Sequence, residues 1–149
     1  MRVVLLDSGP LGLVTNPKAS QSNLECQRWR SSLLLNRVRV LVPELADYEV
    51  RRELLRVNFV EGVRKLDALK NEIGYLPITT TAMLKAAELW ASVRQAGIPT
   101  ADSKALDGDV ILAAQAVTLA VQDYDVEIAT TNVSHLARLT KAYNWQEVR

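Results

Sequence analysis

Leu106–Val121 reads LDGDVILAAQAVTLAV, two acids followed by an apolar run that is almost uninterrupted. A run of this length, rich in Ala and Leu and without Pro, is a helix buried on most of its circumference rather than a strand. Asp107 and Asp109 are then expected in its first turn, where the unpaired N–H groups and the macrodipole favour negative charge by roughly 0.3–1 kcal/mol. One cap accounts for one acid. It does not account for Asp109, which enters the helix where Val110, Ile111 and Leu112 go into the core. Its carboxylate is expected to be half desolvated and to want a counter-ion.

A helix buried on most sides needs a sheet to pack on, and the rest of the chain supplies one. Val3–Leu6, Val38–Val42 and Val126–Ala129 are short runs dominated by β-branched residues, Leu and Ala, interrupted only by Arg39 and Glu127, the kind that form strands buried on both faces of a parallel sheet. Leu76–Ile78 reads as a shorter strand and Trp145–Val148 as an edge strand. Between them lie helical segments: one starting at Pro10, one carrying Leu24, Trp29, Leu33 and Leu34, and a long one from about Glu44 to Glu72 with a break near Gly62. Another is capped by Thr79–Thr81 and runs to Ala96, and the last covers Ser134–Tyr143. Asn16–Ser22 and Ile98–Ala105 read as loops, and Met83, Ala86, Ala87 and Trp90 as core packing. Strands alternating with helices predict an α/β fold, a three-layer α/β/α arrangement with a mostly parallel central sheet.

With 149 residues and 48% hydrophobic content, the chain is expected to be one domain over residues 1–149. A net charge of +1 excludes a partner chosen by bulk charge alone, so only a local basic patch steers a polyanion. The single cysteine, Cys26, excludes an internal disulfide framework and a multi-cysteine metal site. The start MRVVLLDSG falls short of a signal peptide, and no stretch reaches the length of a membrane span. The expectation is a cytoplasmic protein.

The candidate site lies where these strands end. Asp7 follows the first strand, with Ser8 beside it; the simpler role for either is to cap the helix that begins at Pro10. Glu49 lies one to two turns beyond the second strand. It shares a helix face with Arg52, Glu53 and Arg56, where ion pairing at three- and four-residue spacing would contribute roughly 0.2–0.5 kcal/mol per pair. Thr130 and Asn132 follow the fourth strand. In an open α/β sheet such groups can meet above the carboxyl edge. Two carboxylates about 4 Å apart repel by roughly 4 kcal/mol at an effective dielectric of 20, so several together require a cation or a raised pKa. Every candidate donor is an oxygen, which suits Mg²⁺ or Mn²⁺ rather than Zn²⁺ or copper. A cation of that kind, with an activated water, suits phosphodiester hydrolysis.

The segments VVLLDSGPLG, PELADYEVRREL, LDGDVILAAQA and IATTNVSHL resemble the signature blocks of the PIN domain, in particular its VapC-like branch, from Met1 to about Leu136. The resemblance implies a metal-dependent endoribonuclease that is the toxin of a toxin–antitoxin pair. It also implies an RNA substrate, a homodimer and a small antitoxin that blocks the acidic pocket. Carried over by position, Asp7, Glu49 and Asp109 match the family's metal-binding acids. Its fourth position falls on Asn132, which keeps an oxygen and loses the charge; Asp107 is a candidate to compensate. Ser8 and Thr130 would be supporting groups. Arg52, Lys104 and Arg138 are candidates for phosphate contact, and His135 reads as a surface residue. The alternative is a catalytically weak PIN-like RNA-binding or scaffold protein. A phosphatase of the haloacid-dehalogenase type is disfavoured because Gly9 stands where a second acid is required, and a receiver domain because Asp7 stands alone.

Overall fold

The computed structural model describes residues 1–97 and 103–149; nothing is described of the side chains of Ser103 and Lys104. The chain opens with β1 (Arg2–Leu6), α1 (Ser8–Thr15) and α2 (Gln21–Leu35), then β2 (Arg39–Pro43), α3 (Glu44–Arg56) and α4 (Val60–Ile73). It continues with β3 (Tyr75–Leu76), α5 (Thr80–Gln95), α6 (Ser103–Ala120), β4 (Asp125–Thr130), α7 (Val133–Leu136) and β5 (Ala142–Asn144), and a 3₁₀ turn at Trp145–Glu147 follows. The five strands form one sheet in the order β3-β2-β1-β4-β5. Every pairing is parallel.

Alternation along β1 makes the layers. Val4 and Leu6 point to one side, where Leu11, Cys26, Trp29 and Leu33 of α1 and α2 join Leu66 and Leu69 of α4. Val3 and Leu5 point to the other, against Leu112 and Ala116 of α6, with Val126 and Ile128 of β4. Burying a Val or Leu side chain fully is worth about 1.5–3 kcal/mol, and all four of these β1 residues are 0–1% exposed. A slip of this strand by one residue would carry Arg2 or Asp7 into a core layer, which fixes where Asp7 emerges. The chain steps from β1 outward to β2 and β3, then returns across the sheet to β4. The order therefore reverses between β1 and β4, and the crevice above that point is where open α/β sheets place ligands.

Several boundaries differ from the sequence reading. The segment 44–72 is two helices, and the break falls at Val57–Phe59, where Asn58 takes φ 55°, rather than at Gly62. That glycine sits in close packing: a Cβ on it would lie 2.7 Å from Leu54 Cδ2, so the Leu54 side chain of α3 would have to shift. The α2 stripe is Cys26, Trp29 and Leu33, with Leu24 and Leu34 partly exposed. The segment 134–143 is a four-residue helix and a turn leading into β5, because pairing with β4 at Ile128–Thr130 claims residues 142–144. Trp145–Val148, read as an edge strand, is instead a 3₁₀ turn that buries Trp145 edge-on against Trp29, ring centroids 5.5 Å apart. The 98–105 loop lies largely outside the described residues. Of Met83, Ala86, Ala87 and Trp90, only Ala86 is buried. Among the described residues no helix is long and apolar enough to cross a membrane.

Candidate active site at the carboxyl edge

Asp7 leaves the end of β1 as the N-cap of α1. Its Oδ1 accepts from the Ser8 backbone N–H at 2.8 Å, and its Oδ2 accepts from Thr130 Oγ1 at 2.6 Å. Thr130 ends β4 and is fully buried. The same Oγ1 accepts from the Asn132 N–H at 2.9 Å, so one hydroxyl ties the turn after β4 to the carboxylate after β1. The two strand ends approach closely enough that a Cβ on Gly9 would meet Thr131 Oγ1 at 2.5 Å. The N-cap of α1 and the hydrogen bond from Thr130 thus fall on the same carboxylate. The cap fixes it while one hydrogen-bonding direction on each oxygen is used.

α3 brings three acids near this edge, and their partners separate them. Glu44 accepts from the Tyr75 hydroxyl and the Ile78 N–H, both at 2.7 Å, which fastens β3; these bonds hold its carboxyl below the usual range. Asp47 pairs with Arg51 at 2.9 Å and Lys70 at 3.5 Å. Among the described residues Glu49 has no such partner. Its Oε2 faces α6, 3.6 Å from where a Cβ on Gly108 would sit. Burial first, then the charge of Asp7 and more weakly that of Asp109, push its pKa up against the pull of Arg52.

α6 begins at Ser103, so Asp107 and Asp109 lie in its second turn and neither caps it. The helix formers of SKAL extend the helix upstream of the expected start. At about 100° per residue the two acids point about 200° apart. Asp109 turns toward the cup. Burial raises its pKa first; His135 and Arg138 draw it down, and Asp7 raises it. Asp107 is exposed and lines a groove with Met83 and Trp90, so the structure does not bring it to Asp7, Glu49 and Asp109.

His135, read from sequence as a surface residue, is half-buried with Nδ1 3.5 Å from Asp109 Oδ2. Its signal was faint, since one His in a short helix carries no spacing pattern. Asn132 is the N-cap residue of α7, exposed, with no side-chain cap bond. Arg52 is exposed and stacks on Tyr48, Cζ 5.0 Å from the ring centroid. Arg56, not Arg52, makes the expected pair on that face, with Glu53 at 2.9 Å. Arg138 stands within the field of Asp109. The Lys104 side chain lies outside the described residues. A groove of about 540 Å³ runs from Ser8, Glu49 and Arg52 along α1 and α3 to Leu54 and Phe59.

Three half-buried carboxylates from three elements therefore share one anionic cup. Among the described residues neither Asp7 nor Glu49 has a Lys or Arg within ion-pair distance. The cup is open: among the described residues no group of three or more His, Cys, Asp or Glu is gathered tightly enough to hold an ion as placed. The three side chains offer carboxylate oxygens, with raised proton affinity at Glu49 and Asp109.

An all-parallel five-stranded sheet flanked by helices, with this edge of acids, is a PIN-like fold. No family model and no characterised protein sequence matches the chain. Solved structures do. The chain is similar to one in VapBC2 from Rickettsia felis bound to a DNA fragment from their promoter, with TM-score 0.72 and 15% identity over 96% of this chain and 98% of that one. It is similar to one in VapBC-1 from nontypeable Haemophilus influenzae, with TM-score 0.71 and 16% identity over 97% and 99%. It is also similar to one in FitAcB from Neisseria gonorrhoeae, with TM-score 0.65 and 18% identity over 97% and 99%.

Proposed function

We propose that this protein is a Mg²⁺- or Mn²⁺-dependent endoribonuclease and the toxin of a type II toxin–antitoxin pair. The observation that carries the reading is the contrast within one edge: Glu44 and Asp47 are satisfied by their own partners, while Asp7 and Glu49 converge with Asp109 and, among the described residues, neither has a Lys or Arg within ion-pair distance. Leaving carboxylates unmatched in a half-desolvated cup costs stability, and a cation-binding role is what offsets it.

Asp7, Glu49 and Asp109 would hold the cation. When bound, it supplies positive charge against a phosphodiester and lowers the pKa of a coordinated water. The chain's own groups do the rest. Thr130 and the Ser8 N–H fix the Asp7 carboxylate, so ligand geometry is set before substrate arrives. His135 holds Asp109 by one oxygen. The carboxamide of Asn132 offers a neutral oxygen at the rim. Arg52, Lys104 and Arg138 take backbone phosphates, a contact that reads no base. The groove along α1 and α3 suits an antitoxin segment with apolar side chains for Leu54 and Phe59 and a basic group for Glu49, and the solved relatives are themselves VapBC and FitAB complexes. A second copy of the chain completes the assembly, and the cytoplasm is its place of action.

Asp7→Asn and Asp109→Asn should each abolish cleavage of messenger RNA while circular dichroism stays that of the wild type; undiminished cleavage by both removes the proposal. The openness of the cup and the exposed Asn132 favour one rival, a PIN-like RNA-binding protein that cuts poorly. It is distinguished by RNA binding that persists without cleavage at any Mn²⁺ concentration.

A further inference from the structure

Helix α3 sends two consecutive residues in different directions. Glu49 turns into the acid cup, and Tyr48, rotated from it by about 100°, turns to solvent and is 56% exposed. Four residues on, Arg52 lies over the Tyr48 ring, Cζ 5.0 Å from the centroid. Among the described residues no other ring and no other cation packs on Tyr48. Tyr75, by contrast, is spent on the fold: its hydroxyl donates to Glu44 and Lys70 covers its ring.

The partner that Arg52 declines is as informative as the one it takes. An Arg three residues beyond a Glu is placed for an ion pair, and α3 makes that pair between Glu53 and Arg56 and ties Arg51 to Asp47 and Asp67. Arg52 stands three residues beyond Glu49, yet among the described residues it is in no ion pair and rests on the aromatic ring instead. A guanidinium stacks through its plane and donates from its rim, so a ring beneath it leaves N–H groups for an anion. Arg52 also lines the groove with Ser8 and Glu49, which joins the ring to the cup.

Three carboxylates repel the phosphates of an RNA, whereas a contact without charge is spared that repulsion. Stacking of a base on an aromatic ring is such a contact, and every base has a π-face, so the strand is held without its sequence being read. Bases in a duplex already stack on one another, so an exposed ring selects an unpaired one. We infer that Tyr48 is a stacking platform for an unpaired nucleobase of an RNA single strand lying across the cup, with Arg52 holding the adjoining phosphate. The inference rests on the reading of the cup as a place where RNA lies, and it adds that the strand is single beside the acids. Leu55, 59% exposed and two turns further along α3, makes an apolar protein segment the rival occupant of this face.

Fluorescence anisotropy on the full chain in Ca²⁺ separates the two. The probes are a single-stranded RNA of mixed sequence, about 20 nucleotides long, and an abasic ribose-phosphate chain of the same length. Tyr48→Ala and Tyr48→Leu should each weaken RNA binding about 5- to 100-fold, the worth of one stacked base, and Tyr48→Phe should stay within about twofold. All three should bind the abasic chain as the wild type does. Arg52→Gln should lower the slope of log affinity against log salt by about 0.7, while Tyr48→Ala leaves it unchanged. RNA binding by Tyr48→Ala at wild-type strength overturns the inference and gives the face to a protein segment. So does wild-type binding by Tyr48→Leu, an equal loss on the abasic chain, or a wild type that binds no RNA up to about 100 μM. A wild type that binds RNA through Tyr48 and never cleaves it in Mn²⁺ removes the nuclease reading alone and supports the platform.

Discussion

Replacing Glu49 with Gln should make the metal-free protein more stable at neutral pH. Burial, the charge of Asp7 and the weaker charge of Asp109 raise the proton affinity of Glu49 in the folded chain. An acid whose pKa is higher folded than unfolded opposes folding once it is ionised. The penalty is complete above the raised folded value and vanishes below the ordinary Glu value of 4.5. Two unit charges at 4–8 Å repel by about 4 to 2 kcal/mol at an effective dielectric of 20. The attraction of Arg52 and the solvent reaching a half-exposed group reduce this, leaving about 1 kcal/mol. Urea unfolding in the presence of a chelator reads it directly. Glu49→Gln should raise the midpoint at pH 7 by about 0.5 M with an unchanged slope, and the gain should shrink to nothing near pH 4. Equal or lower stability of the variant at pH 7 would refute the reasoning, as would a gain of the same size at both pH values.

Two further substitutions probe how the site is held. Thr130→Val keeps shape but removes the hydroxyl that donates to Asp7 and accepts from the Asn132 N–H; it should cost about 2–3 kcal/mol in urea unfolding, with Thr130→Ser recovering most of it. Trp29→Phe deletes the indole N–H that donates to the Val148 carbonyl at 2.8 Å and trims the edge-on contact with Trp145. It should cost about 1–2 kcal/mol and speed amide exchange selectively at residues 145–148.

The layers were legible because burial on both faces leaves its mark on composition. Val3–Leu6 and Val126–Ala129 could be little else than central strands, and Asp7 and Thr130 follow from where those strands stop. What a single stretch could not reveal depended on tertiary partners. PELADYE contains three acids of equal standing in sequence, and only the positions of Tyr75, Arg51 and Lys70 show that Glu44 and Asp47 are spoken for. Gly62 reads as punctuation but serves a helix contact, while the chain breaks at Asn58, whose backbone alone records it. The sequence reading starts this helix near Leu106, whereas α6 already includes Ser103, so Asp107 and Asp109 lie about a turn further in than expected. Met83, Ala87 and Trp90 read as core because helical spacing tells which residues share a face, not whether this chain covers it, and all three are exposed.

Calorimetric titration of the metal-free protein with Mn²⁺ addresses the central claim most directly. The account expects saturable heat with a dissociation constant below about 1 mM, lost in Asp7→Asn and Asp109→Asn. It also expects binding to tighten as pH rises through the titration of Glu49 and Asp109, whose protons compete for the same oxygens. Absence of binding at millimolar Mn²⁺ in the wild type, or equal binding by wild type and both variants, would contradict a cation-holding cup at the carboxyl edge of this sheet.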